Sequence, residues 1–90
     1  MASNRIPLSY AIMKLFESGR ILCARDVTRE LKSTYSDHKM LNMKNVEETL
    51  STARENGLLE EAKAEMSTEG HLQIFFKLSD YGAEMVSRYL

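Results

Sequence analysis

Three side chains with ready chemistry stand far apart in this sequence: Cys23, His38 and His71. Zinc sites draw on close pairs of such ligands, as in a C-x2–4-C or an H-x3–5-H, and no pair here has that spacing. No metal centre is expected. A cysteine becomes reactive where a neighbouring base lowers its pKa, and Arg25 stands two residues from Cys23. The thiol nevertheless follows Ile21 and Leu22, a setting in which cysteine serves as a small hydrophobe. There is no Gly-rich phosphate loop, nucleophile elbow or Ser/His/Asp set. The adjacent carboxylates Glu60 and Glu61 would alternate to opposite faces of a strand instead of converging. Neither enzymatic activity nor a cofactor is expected.

A more coherent group is cationic. Arg25, Arg29 and Lys32 fall at i, i+4 and i+7, on one side of a helix, and Lys39 and Lys44 follow. Such cations suit phosphate oxygens, whose condensed counterions they displace. A plainer arrangement competes, because Asp26 and Arg29 at i, i+3 also suit an ordinary exposed helix pair. The chain's net charge of -1 hides a division: residues 20–45 hold six bases against three acids, and residues 46–69 hold two bases against seven acids.

The elements that must position these residues are short. Over residues 7–18, Leu8, Ala11, Ile12, Leu15 and Phe16 recur at helical spacing, with Pro7 suited to a first turn and Gly19 to a stop. Residues 20–23 allow a strand of one or two bridges. A second helix starts at Ala24, with Val27, Leu31 and Tyr35 on one face, and a loop is expected over residues 33–42. Met43, Val46, Leu50 and Ala53 mark a third helix, which Asn56 and Gly57 can cap. Residues 58–66 read as extended, 67–70 as a turn, and 71–78 as a strand, which makes a β-hairpin. Ser79 then caps a last helix whose buried stripe is expected to be Tyr81, Met85 and Tyr89.

Ninety residues, 43% of them hydrophobic, are enough for one domain and too apolar for a disordered segment, so residues 1–90 are read as a single unit with residues 1–5 as a flexible start. With one cysteine no internal disulfide can form, which fits a reducing, cytoplasmic setting. The apolar runs are too short to span a bilayer, and the first residues lack the basic and apolar regions of a signal peptide.

The order helix, short strand, helix, helix, hairpin, helix resembles the winged helix, an α+β fold with a three-helix core, a β-hairpin wing and a C-terminal helix. Specifically, the chain is similar to small prokaryotic transcription factors of the PadR-like and MarR-like kind. The likeness runs from Leu8 to Tyr89. It is carried by Ala24-Arg25-Asp26-Val27-Thr28-Arg29-Glu30-Leu31, like the family's second helix, and by Ala53-Arg54-Glu55-Asn56-Gly57-Leu58-Leu59-Glu60, like its third helix entering the wing. A third match is Phe76-Lys77-Leu78-Ser79-Asp80-Tyr81-Gly82, like the end of the wing and the last helix.

The resemblance implies a regulator that binds double-stranded DNA, with the third helix in the major groove and the wing at the backbone or minor groove. Lys44, Asn45, Ser51 and Thr52 would meet base edges, and Arg25, Arg29, Lys32 and Lys39 would meet phosphates. Glu47 and Glu48 share the outward face of that helix, and the wing turn Ser67-Thr68-Glu69-Gly70 carries no base. The family commonly binds as dimers, so a homodimer is expected, drawing on the residues before Pro7, the outer face of the first helix and the last helix ending in Arg88-Tyr89-Leu90; Tyr10 and Met13 of the first helix are expected as exposed contacts for a partner. An alternative reading is a protein-interaction module without DNA affinity, working through Phe75, on the opposite strand face from Ile74 and Phe76, and through methionine-rich surfaces such as Met40-Leu41.

Overall fold

The computed structural model describes residues 7–35, 39 and 41–89. The expected N-terminal tail 1–5, His38 and Met40 lie outside the described residues. The first helix, α1 (Leu8–Lys14), begins at Pro7, whose fixed φ suits the helix entry. It is shorter than the apolar spacing suggests. The Leu15 and Phe16 N–H groups still reach back, at 3.2 Å to the Ile12 carbonyl and 3.1 Å to that of Met13. The chain then turns through Glu17–Gly19, with Ser18 at φ 68° and Gly19 at φ 75°. Leu15 and Phe16 kept the helical period because both pack on the core from outside the helix, Phe16 completely buried.

After this turn come β1 (Leu22–Cys23) and α2 (Ala24–Tyr35). Asp26 accepts a hydrogen bond from the Cys23 N–H at 3.3 Å, which satisfies one of the donors left open at a helix start. Ala24, Val27, Leu31 and Tyr35 are buried at helical spacing. The helix thus continues past Ser33, where a loop was expected, because burial of Tyr35 adds a last apolar contact. Helix α3 (Met43–Glu55) starts at Asn42, whose side-chain oxygen accepts from the Asn45 N–H at 2.9 Å. It ends in a reciprocal pair: Leu58 N–H to the Ala53 carbonyl at 2.9 Å and Gly57 N–H to that of Arg54 at 3.0 Å. Gly57 takes φ 83°, a conformation that glycine adopts without a steric cost.

The hairpin is β2 (Leu59–Met66) and β3 (Leu72–Leu78), closed by a turn in which Ser67 N–H bonds to the His71 carbonyl at 2.8 Å. All pairing is antiparallel, and the strand order β1-β3-β2 leaves β2 as an open edge. Opposite Phe76 and Phe75 stand Glu61 and Lys63, so Ala62 is an extra residue and bulges the edge. The inner face of β3 packs Ile74, Phe76 and Leu78 on the core, but Leu72, in phase with them, is 61% exposed because it lies out along the hairpin, opposite Met66.

The last helix, α4 (Asp80–Tyr89), is capped by Ser79, whose hydroxyl oxygen accepts from the Gly82 N–H at 2.9 Å. Its buried face is not the expected one. Tyr81 is 53% exposed and Met85 only half-buried, whereas Gly82 and Val86 are buried. The side chain of Tyr89 lies outside the described residues. The reason is Gly82 itself: a Cβ there would stand 1.9 Å from the Leu58 carbonyl oxygen, so α4 approaches that backbone more closely than any side chain permits. Gly82→Ala should lower the unfolding free energy by about 1 to 3 kcal/mol, as overpacking does, despite alanine's better helix propensity. A urea melt with an unchanged midpoint would mean that α4 can stand off Leu58 without cost.

Candidate nucleic-acid interface

The cations of α2 and the approach to α3 are exposed, but they are not equivalent. Arg25 reaches Glu69 in the hairpin turn at 3.5 Å, and Arg29 pairs with Asp26 of its own helix at 3.7 Å. Lys32 and Lys44 carry no ion pair among the described residues. Lys39 is exposed, and its carbonyl accepts from the Asn42 side chain at 3.1 Å, which ties it to the start of α3. Arg20, also basic, is bound by both guanidinium nitrogens to the Glu30 carboxylate, and these hydrogen bonds raise its pKa above the ordinary arginine value. That pair fixes the turn before β1 to the side of α2.

Val46, Leu50 and Ala53 turn one side of α3 into the core. On the other side Lys44, Glu47, Glu48, Ser51, Thr52 and Glu55 line one shallow depression, so three carboxylates share the face with the expected base-reading residues. The four candidates separate here. Lys44 and Ser51 are exposed on the outer face. Thr52 also borders a groove of about 500 Å³ between α1 and α3, and Asn45, half-buried, lines that groove but not the outer depression. A cleft of about 450 Å³ separates α3 from the hairpin. Leu50, Ile74 and Phe76 lie among its apolar walls, and Arg25, Glu47, Ser51, His71 and Gln73 among its polar ones.

No protein-family model matches the sequence, and no curated protein matches it. Solved structures do. The Bacillus subtilis PadR structure, in complex with operator DNA, is similar over 91% of this chain with a TM-score of 0.74 and 18% identity. A putative transcriptional regulator from Thermoplasma acidophilum, TA0346, matches 91% of the chain at 0.67 and 15% identity. A PadR-like transcriptional regulator from Bacillus cereus, BC4206, matches 90% at 0.68 and 15% identity. The fold is a winged helix. The chain spans 45% of the length of the Bacillus subtilis protein and 75% of each of the other two.

The hairpin is thus the wing, and its acids are less bare than their number suggests. Glu60 pairs with Lys77 at 3.5 Å, Glu61 with Arg54 at 3.6 Å, Glu65 with Lys63 at 3.0 Å, and Glu69 with Arg25. Among the described residues Glu47, Glu48 and Glu55 have no ion pair, so α3 carries more uncompensated negative charge than the wing.

The expected contact residues also divide. Tyr10 is 50% exposed beside the α1/α3 groove, but Met13, expected on an exposed surface, is buried in the core next to Ala11 and Ile12. Three consecutive buried residues show that α1 is covered on more than one side, which an amphipathic reading of seven residues does not anticipate. Phe75 is half-buried, with the Lys63 ammonium 4.7 Å from its ring centre. Cys23 is buried, and His71 is exposed beside the wing turn. Among the described residues no three His, Cys, Asp or Glu side chains gather as a metal-holding group, and no helix is long and apolar enough to cross a membrane.

Sequence reasoning missed the exposed pair Met66 and Leu72 on the wing, since both keep a strand's apolar pattern. It also missed the Arg25–Glu69 contact, which joins residues forty-four positions apart and leaves no local signal. The burial of Met13 is directly measurable: Met13→Ala should cost about 2 to 5 kcal/mol of stability in a denaturant titration, whereas Tyr10→Ala should stay within about 0.5 kcal/mol. Equal losses would return Met13 to the surface.

Proposed function

We propose that this chain binds double-stranded DNA and regulates transcription in the cytoplasm. The observation that carries the reading is the match of nine-tenths of the chain to a winged-helix regulator solved on its operator. The distribution of cations supports it. In this reading α3 lies in the major groove, with Lys44 and Ser51 at base edges and Thr52 and Asn45 toward the side nearest α1. Lys32, unpaired, and Lys39, Arg25 and Arg29 take phosphates. Glu47 and Glu48 then face the groove, where a carboxylate can accept from a cytosine amino group. Two copies paired through the exposed Tyr10 side of α1 and the end of α4 would present two recognition helices to two half-sites.

A second reading rests on the wing. Met66 and Leu72 are 65% and 61% exposed opposite one another and together offer a protein partner an apolar contact, while the half-buried Phe75 lies on the other strand face. Fluorescence anisotropy with a labelled random-sequence duplex separates the two. Four neutralised phosphates would weaken binding about a hundredfold between about 50 and 200 mM salt. Lys32→Gln should weaken binding on every duplex and reduce the salt slope by about one, while Ser51→Ala should reorder the preferred sequences. An absence of binding at about 50 mM salt, where such contacts are strong, would leave the partner-binding reading in its place.

A further inference from the structure

Among the described residues, Glu69 is the one wing acid whose ion-pair partner belongs to α2. Its Oε1 stands 3.5 Å from Nη2 of Arg25, in the first turn of that helix. The other paired acids of the wing reach Lys77 and Lys63 of the wing itself or Arg54 of α3. Arg25 in turn lines the cleft between α3 and the wing, together with Ser51 and His71. Any duplex that places α3 in one groove and the wing in the next must carry a sugar-phosphate backbone past that cleft.

We infer that Glu69 occupies, in the free protein, the place that a backbone phosphate takes at Arg25, so that DNA binding exchanges one anion for another. This inference rests on the DNA-binding reading and deepens it. A carboxylate and a phosphodiester each offer oxygens to the same guanidinium fork, so the two compete for one set of donors. The exchange is easy, because both partners in the existing pair are open to water, at 48% and 63% side-chain exposure. Arg29 differs. Its partner Asp26 lies one helical turn away and remains beside any phosphate that Arg29 meets. Glu69 sits in the wing turn, before Gly70 at φ 85°, and can leave with the turn.

The exchange has a signature in salt. A phosphate that takes Arg25 releases a cation from the DNA, but the freed Glu69 gathers one, so the contact adds little to the salt slope. In Glu69→Gln the gain is no longer offset, and the slope should steepen by up to about 0.9.

Anisotropy titrations of the random-sequence duplex with the full chain test this in a double-mutant cycle. Glu69→Gln should tighten binding about two- to fivefold, the worth of an exposed ion pair. That gain should vanish in the Arg25→Gln background, since Glu69 acts through Arg25. Glu65→Gln removes the same charge from the wing without touching Arg25, and should neither reproduce the gain nor depend on Arg25. A gain that persists without Arg25, or an equal gain from Glu65→Gln, would reduce Glu69 to general repulsion and overturn the exchange while leaving DNA binding intact. No change with Glu69→Gln overturns it as well. A chain that binds no duplex in any of these forms at low salt would remove both the exchange and the DNA-binding reading.

Discussion

The peptide of Leu58 holds the fold's junction. Its N–H closes the end of α3 on the Ala53 carbonyl, and its own carbonyl accepts from the Ser79 N–H at 3.0 Å. The Ser79 hydroxyl also reaches that carbonyl, at 3.2 Å, and accepts from the Gly82 N–H, while Gly82 lies against the same carbonyl with no room for a side chain. Four elements are thereby placed by one backbone unit: the end of α3, the start of β2, the end of β3 and the start of α4. Because the junction is made of backbone atoms and two small residues, it asks little of the remaining side chains. It also fixes the angle at which the wing leaves the third helix, and with it the width of the cleft between them.

Charge in this protein is arranged by contact more than by region. The near-neutral total breaks into a basic stretch and an acidic one along the chain, yet in space the wing's acids lie beside cations from β3, α3, α2 and β2 itself. Exposed pairs of this kind add little stability. Their effect is to cancel the field of the wing at short range. Among the described residues, the charges without an ion pair include Lys32, Lys39 and Lys44 on one side and the three carboxylates of α3 on the other. On α3 itself Lys44 stands with the three carboxylates around one depression, so both signs of charge meet on a single helix face.

Much of the fold is legible in the sequence because local rules act at its boundaries. Asn42 and the pair Asn56-Gly57 bracket α3, Ser79 opens α4, and the Ser67 to Gly70 turn divides the hairpin. The failures arise where distant residues decide. Phe16 keeps a helical phase while sitting outside the helix, because the core, not the helix, claims it. The buried face of α4 rotates by one residue, from Tyr81 to Gly82, because a backbone 24 residues earlier sits where a Cβ would go. The site divides in the same way: the cationic face of α2 follows from spacing, but Asn45 lines the α1 groove and Arg25 meets Glu69 through packing that no single helix encodes.

The bulged edge of the sheet has a further consequence. An exposed strand with unpaired N–H and carbonyl groups is a template on which another unfolded or folded chain can add, and this sheet has two ends. One, β1, is only two residues long. The other, β2, is eight residues long and largely exposed, but it carries Glu60, Glu61, Lys63 and Glu65 and is bent at Ala62. A second strand laid along it would meet charges of both signs and a broken hydrogen-bond rhythm. The same bulge that shapes the wing therefore guards a small, marginally sized core against growing into an aggregate through its longest open edge.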